Sequence, residues 1–153
     1  MLTYYEGNQT TVIVPETIDG KTVTAIGEWC FEMDRSAETI QLPDTITHIG
    51  YGAFTECTNL QKINIPESVV CIEYYAFDYC TSLTSLHLPA GVTSFYVDDM
   101  QYTLIGLSSL KEFTVDAKTL LMLQLMVFYI IKTKHRLFAC RMHTRVWLLW
   151  KIP

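Results

Sequence analysis

Three prolines, Pro43, Pro66 and Pro89, recur at one even interval, and many other positions keep the same register. Ile26, Ile49, Ile72 and Phe95 share it, as do Phe31, Phe54 and Phe77, and Cys57 and Cys80. The period is 23, set by each of these series independently. A unit this short cannot bury its own apolar face, so a chain made of such units must stack them. The stack then buries Leu, Ile and Phe in ladders that run along its length.

Each unit also carries a run of alternating apolar residues. These are Leu60-Gln61-Lys62-Ile63-Asn64-Ile65, Leu83-Thr84-Ser85-Leu86-His87-Leu88 and Leu110-Lys111-Glu112-Phe113-Thr114-Val115, with a weaker version in Ala37-Glu38-Thr39-Ile40-Gln41-Leu42. Alternation over so few residues marks a strand with one buried face. The proline that follows lacks an N–H and suits a strand end. Parallel strands are therefore expected near residues 12–14, 40–42, 63–65, 86–88 and 113–115. The Ala-Phe pairs are expected in short turns that drive their rings inward. The interval from Pro15 to Pro43 is longer than the repeat, and the extra length is read as a turn at Asp19-Gly20-Lys21. The fourth unit carries a further insert near Asp98–Thr103.

The pattern Ile-Pro-x-x-Val-x-x-Ile-x-x-x-Ala-Phe-x-x-Cys-x-x-Leu-x-x-Ile-x-Ile-Pro resembles the BspA-like leucine-rich repeat family, and Ile65 to Pro89 fits it almost throughout. Val14–Gly27 is similar to the family's usual entry into an array. The resemblance covers residues 10–117 and departs from the pattern at Asp34, which replaces the repeat's Cys, and at Asp98–Thr103. It implies a mainly β repeat solenoid for residues 1–117. That solenoid would be right-handed, with about four repeats after an N-terminal strand, parallel strands, short turns and few or no long helices. The resemblance also implies a non-catalytic module for protein–protein interaction or adhesion, in proteins that are secreted or displayed at cell surfaces. The start, Met1-Leu2-Thr3-Tyr4-Tyr5, has no basic or apolar region of the kind that makes a signal peptide.

All 16 acidic residues lie between Glu6 and Asp116, with only Lys21, Arg35, Lys62 and Lys111 against them, a balance of −12. A surface of that sign repels nucleic acid, which is therefore not expected as a partner. Residues 117–153 hold the other seven Lys and Arg and no Asp, Glu or Gly. Leu120–Ile131 is a run of twelve residues, apolar except for Gln124. A membrane span needs roughly 20. Residues 118–153 are thus read as an atypical apolar and basic tail, and a membrane is a partner only if that tail is genuine. Back-translating Met126–Lys132 and reading one base earlier yields Gly-Ile-Leu-Tyr-Asn-Lys, which resembles the family's continuation after a strand. The tail is accordingly read as an out-of-frame translation of further repeat.

Candidate chemistry is sparse. The five cysteines form no CxxC and no Cys/His cluster at zinc spacing, so buried free thiols are expected. His48 and His87 occupy different repeat positions, His48 near a turn and His87 outward on a strand. His135 and His143 fall in the tail. Asp98-Asp99 are neighbours that an extended chain points opposite ways. No catalytic residue, metal ligand or cofactor is assigned. The candidate surface is the outward side of the strands, and its residues are Thr39, Gln41, Lys62, Asn64, Ser85, His87, Glu112 and Thr114. They are polar and mixed in sign, which suits hydrogen-bonded recognition of a protein.

Overall fold

The computed structural model of the chain describes residues 1–95 and 106–116 and, within the tail, the backbone of Ala139–Met142. The insert at Asp98–Thr103, His135, His143 and the out-of-frame reading of the tail lie outside the described residues.

The alternating runs form strands that stack in parallel, one per turn of a β-solenoid. They are β1 (Thr11–Ile13), β5 (Thr39–Gln41), β7 (Lys62–Ile63), β9 (Ser85–Leu88) and β11 (Glu112–Val115). Each begins about one residue before its expected position. The inward residues are those expected, because the alternation sets the register. Val12 pairs with Ile40, Ile40 with Ile63, and Leu86 with Phe113. All five of these side chains are buried, as are Val14, Leu42, Ile65, Leu88 and Val115 one step on. The ladder divides between β7 and β9, which belong to separate sheets. There the Thr84 N–H still reaches the Gln61 carbonyl at 3.2 Å. Strand β12 (Ala139–Met142) pairs in parallel with β11 and so adds a strand to its outer edge.

A second parallel ladder was not signalled by alternation. It consists of β4 (Ala25–Ile26), β6 (His48–Ile49), β8 (Cys71–Ile72) and β10 (Ser94–Phe95). These strands are two residues long, too short for a period of two to show. Their common position does lie in the repeat register, as Ile26, Ile49, Ile72 and Phe95. The expected turn at Asp19-Gly20 is present: β2 (Thr17–Ile18) and β3 (Lys21–Thr22) form an antiparallel hairpin across it. Both turn residues have positive φ, 51° and 73°, as a two-residue hairpin turn of this hand requires. No residue described is helical.

The Ala-Phe turns close the third side. Phe31, Phe54 and Phe77 are buried and stacked, with ring centroids 5.2 and 5.5 Å apart, and Tyr5 stacks on Phe31 at 4.8 Å. Leu2 bridges in parallel to Ile26, and Tyr5 stacks on Phe31, so the first residues continue both the second ladder and the ring stack. The turns repeat in backbone as well as in side chain. Trp29, Gly52 and Tyr75 share one position with φ of 55°, 59° and 60°. Met33, Glu56, Tyr79 and Gly106 share another, also at positive φ. Bulky residues seldom adopt that conformation. Here the cost is offset because each turn donates to the next, as in Phe31 N–H to Ala53 O at 2.8 Å and Phe54 N–H to Ala76 O at 2.9 Å.

The cysteines lie where a buried thiol ladder was expected. Cys30, Cys57 and Cys80 are buried and unbridged, and Cys71 is partly buried and unbridged. The Cys57 thiol donates to Phe31 O at 2.9 Å, and Cys80 repeats this with Phe54 O at 3.1 Å. Burial pushes the Cys30 and Cys80 thiols up to about 12 and raises that of Cys57 as well. Such thiols are poor nucleophiles, because the thiolate is the reactive form. Asp34 stands at the same repeat position one turn earlier. Its Oδ1 accepts from Ser36 N–H at 2.8 Å, Ser36 Oγ at 2.6 Å and Ala37 N–H at 3.3 Å, so the carboxylate holds the turn together locally.

Candidate functional site

The outward side of β1, β5, β7, β9 and β11 is a surface with a fixed backbone and varied side chains. Gln41, Lys62, Asn64, His87 and Glu112 are exposed, while Thr39, Ser85 and Thr114 are half-buried. Each alternates with a buried neighbour, so the side-chain directions are those the pleat dictates. The structure therefore brings the eight predicted residues to one side of the solenoid, as two strips meeting at the β7–β9 division.

They differ in what their polar atoms do. Asn64 is committed to the fold: its Oδ1 accepts from Leu42 N–H at 2.8 Å and its Nδ2 donates to Leu42 O at 2.9 Å. The side-chain amide occupies both backbone groups of Leu42 just where the β5–β7 ladder stops, after Ile40–Ile63. His87 makes a cross-strand contact, with Nδ1 2.7 Å from Thr114 Oγ1. Its Nε2 stands 3.9 Å from Asp116 Oδ2.

Two features of this side were missed in the sequence. Ile13 is 67% exposed and lies in register with Gln41, which puts an apolar side chain among the polar ones. The alternation Val12-Ile13-Val14 contained the signal. The second feature is a cluster. Glu67, His87 and Asp116 come from three successive turns, and their potential ligand atoms all lie within 4.8 Å of one another. They are far apart in sequence, and no motif joins them. Asp116 follows β11 where Pro66 follows Ile65 and Pro89 follows Leu88, so the repeat's proline becomes a carboxylate only in this unit.

His48 lies in strand β6 of the second ladder, shortly before the turn that begins at Tyr51, and it is exposed with Nδ1 2.8 Å from Thr47 Oγ1. The two-residue strand left no alternation by which to place it. His48 and His87 thus sit on different ladders, as their different repeat positions imply.

The turn ridge carries the exposed aromatic surface. Trp29 and Tyr51 meet edge to face at 4.9 Å, and Tyr51 and Tyr75 at 5.2 Å. Trp29 and Tyr79 are 39% and 46% exposed. Gly52 lies directly beneath the Trp29 ring, where a Cβ would collide with it.

The model of the BspA type leucine rich repeat region matches residues 3–132, in six copies. The chain belongs to that family. The BspA-type match begins before the first strand and extends past Ala117 into the tail. None of the curated proteins compared with the chain is significantly similar to it in sequence. Three solved structures similar to this BspA-type chain are of bacterial proteins. A leucine rich repeat protein of T. pallidum is 24% identical over 73% of this chain and 61% of its own, with a TM-score of 0.58. A leucine rich cell surface protein of Faecalibacterium prausnitzii A2-165 is 24% identical over 75% of this chain and 28% of its own, with a TM-score of 0.64. The pneumococcal vaccine antigen PcpA is 24% identical over 74% of this chain and 27% of its own, with a TM-score of 0.62. At this identity the likeness is one of fold. The chain spans less than two thirds of the length of each of these three proteins.

Proposed function

We propose that this BspA-type solenoid is a non-catalytic module for protein–protein interaction, used for adhesion at a cell surface, and that it works through the outward side of the strands. The observation that carries the proposal is the alternation itself. The inward residues of each strand build the core, and Gln41, Lys62, Ser85 and Glu112 stand out from that rigid backbone. A preformed sheet loses little conformational freedom on binding, which favours affinity from modest contacts. Ile13 supplies an apolar contact at the edge of the polar field. The cell-surface protein of F. prausnitzii with the same fold supports the adhesion reading. The partner is a protein; residues 1–116, at −12, are unsuited to nucleic acid.

A photo-crosslinking residue placed at Gln41, Lys62, Ser85 or Glu112 tests this against one placed on the turn ridge at Tyr51 or Glu28. Cell-surface extracts are expected to give the same crosslinked protein from all four face positions and from neither ridge position. Crosslinking from the ridge alone would overturn the reading.

A second reading has one observation in its favour. The chain covers only 28% and 27% of two of its structural neighbours. On this reading it is a structural segment of a longer array without independent binding. A chain that folds but yields no crosslinked partner at any position would favour it.

A further inference from the structure

We infer that Glu67, His87 and Asp116 form a binding site for a divalent transition-metal cation of the zinc class. The inference does not depend on the strand face binding a protein. One imidazole and two carboxylates are ligands that suit such ions. Their ligand atoms already lie within 4.8 Å of one another. Zinc with ligands at about 2.1 Å in a tetrahedron sets them roughly 3.4 Å apart, so a small side-chain adjustment completes the geometry. Glu67 and His87 are exposed, and Glu67 has a long side chain that can make that adjustment.

Three further observations bear on the site. First, the imidazole is oriented for the task. When Nδ1–H donates to Thr114 Oγ1 at 2.7 Å, Nε2 keeps its lone pair and faces Asp116. Metal-binding histidines typically donate their other ring N–H in this way. Second, among the described residues no Lys or Arg is paired with either carboxylate. The contact of His87 with Asp116 is the only ion-pair contact among the described residues. The net charge of −12 over residues 1–116 favours the approach of a cation. Third, the backbone beneath is fixed. His87 and Asp116 lie on and just after adjacent paired strands, with His87 in register with Thr114, and Asp116 N–H donates to Leu88 O at 3.1 Å. Gly91 lies against the Glu67 backbone carbonyl, where a Cβ would collide with it. Three protein ligands leave a position open on a tetrahedral ion, so a bound metal would present a free coordination site to solvent or to an incoming carboxylate or imidazole.

The test is calorimetric titration of the full chain with Zn²⁺ alone, in parallel with His87→Ala, His87→Gln, His48→Ala and Thr114→Val, each checked for native circular dichroism. The wild type is expected to bind one Zn²⁺ that both His87 variants lose and His48→Ala keeps. Thr114→Val is expected to weaken it by about 10- to 100-fold through the unsupported ring. Co²⁺ in place of Zn²⁺ is expected to show no thiolate-to-metal band, which separates this site from any formed by cysteine. No Zn²⁺ binding by the wild type would overturn the inference. Binding that is unchanged in His87→Ala would overturn it too, since the ion would then be held elsewhere.

Discussion

The ridge of Ala-Phe turns and the outward strand face are built on the same repeat register and treat it in opposite ways. On the ridge interior the register repeats in residue identity: Phe31, Phe54 and Phe77, then Cys57 and Cys80. On the face it repeats only in direction, and the outward positions read Thr39, Lys62, Ser85, Glu112 and Gln41, Asn64, His87, Thr114. A stacked ring must match the ring above and below it in volume, because interiors are close-packed. A side chain in water has no such obligation. The difference teaches that the repeat encodes a shape, and that whatever is particular to this chain lies where the repeat stops specifying residues.

The sharpest way to break that contrast is to remove a ring from the middle of the stack. Phe54 is fully buried between Phe31 and Phe77, so Phe54→Ala is expected to cost about 3–5 kcal/mol in urea unfolding. A loss no larger than that of a surface change would mean the stack is not the core.

Asn64 blurs the contrast and so sharpens it. It points outward but bonds both backbone groups of Leu42. Asn64→Ala is expected to cost about 2 kcal/mol, one for each hydrogen bond. If the same unfolding assay finds it neutral, the amide belongs to the free face after all.

Asp78 tests the ridge by pH. Burial pushes its carboxyl up to about 6, its Tyr79 backbone hydrogen bond working against this and the charge of Glu56 with it. Its Oδ1 has no hydrogen-bond partner among the described residues. The folded state therefore holds this proton more tightly than the unfolded chain, whose value is near 3.8. The stability so gained is complete below that value and is lost as the pH rises through about 6. Asp78→Asn is expected to match the wild type in acid and to exceed its Tm at neutral pH. Parallel Tm curves across that window would show that the carboxyl is not desolvated.

The smallest effect belongs to the open face. Lys62→Glu is expected to change stability by less than ~0.5 kcal/mol while altering partner binding. A large loss in unfolding free energy would show that Lys62 is spent on the fold as Asn64 is.

Much of this architecture was legible because packing demands repetition. The inward residues of β5, β7, β9 and β11 came from alternation, and the Asp19-Gly20 hairpin came from its turn residues. The second ladder was hidden because two-residue strands leave no period, so the strand that holds His48 was not foreseen. The outward direction of the eight face residues was readable. That Asn64 bonds backbone was not, since an amide in a strand carries no mark of its partner. The Glu67, His87 and Asp116 cluster was hidden for a different reason. It depends on stacking three turns so that positions far apart in sequence, and off the repeat period, converge. Only the loss of the repeat's proline at Asp116 hinted that this corner differs.

The most direct test of the account is an alanine scan of unfolding free energy along β9 and β11, from Ser85 to Leu88 and from Glu112 to Val115. The account expects a period of two: losses of about 2–5 kcal/mol at Leu86, Leu88, Phe113 and Val115 and little at Ser85, His87, Glu112 and Thr114. A flat profile, or one with its maxima on the outward residues, would contradict it.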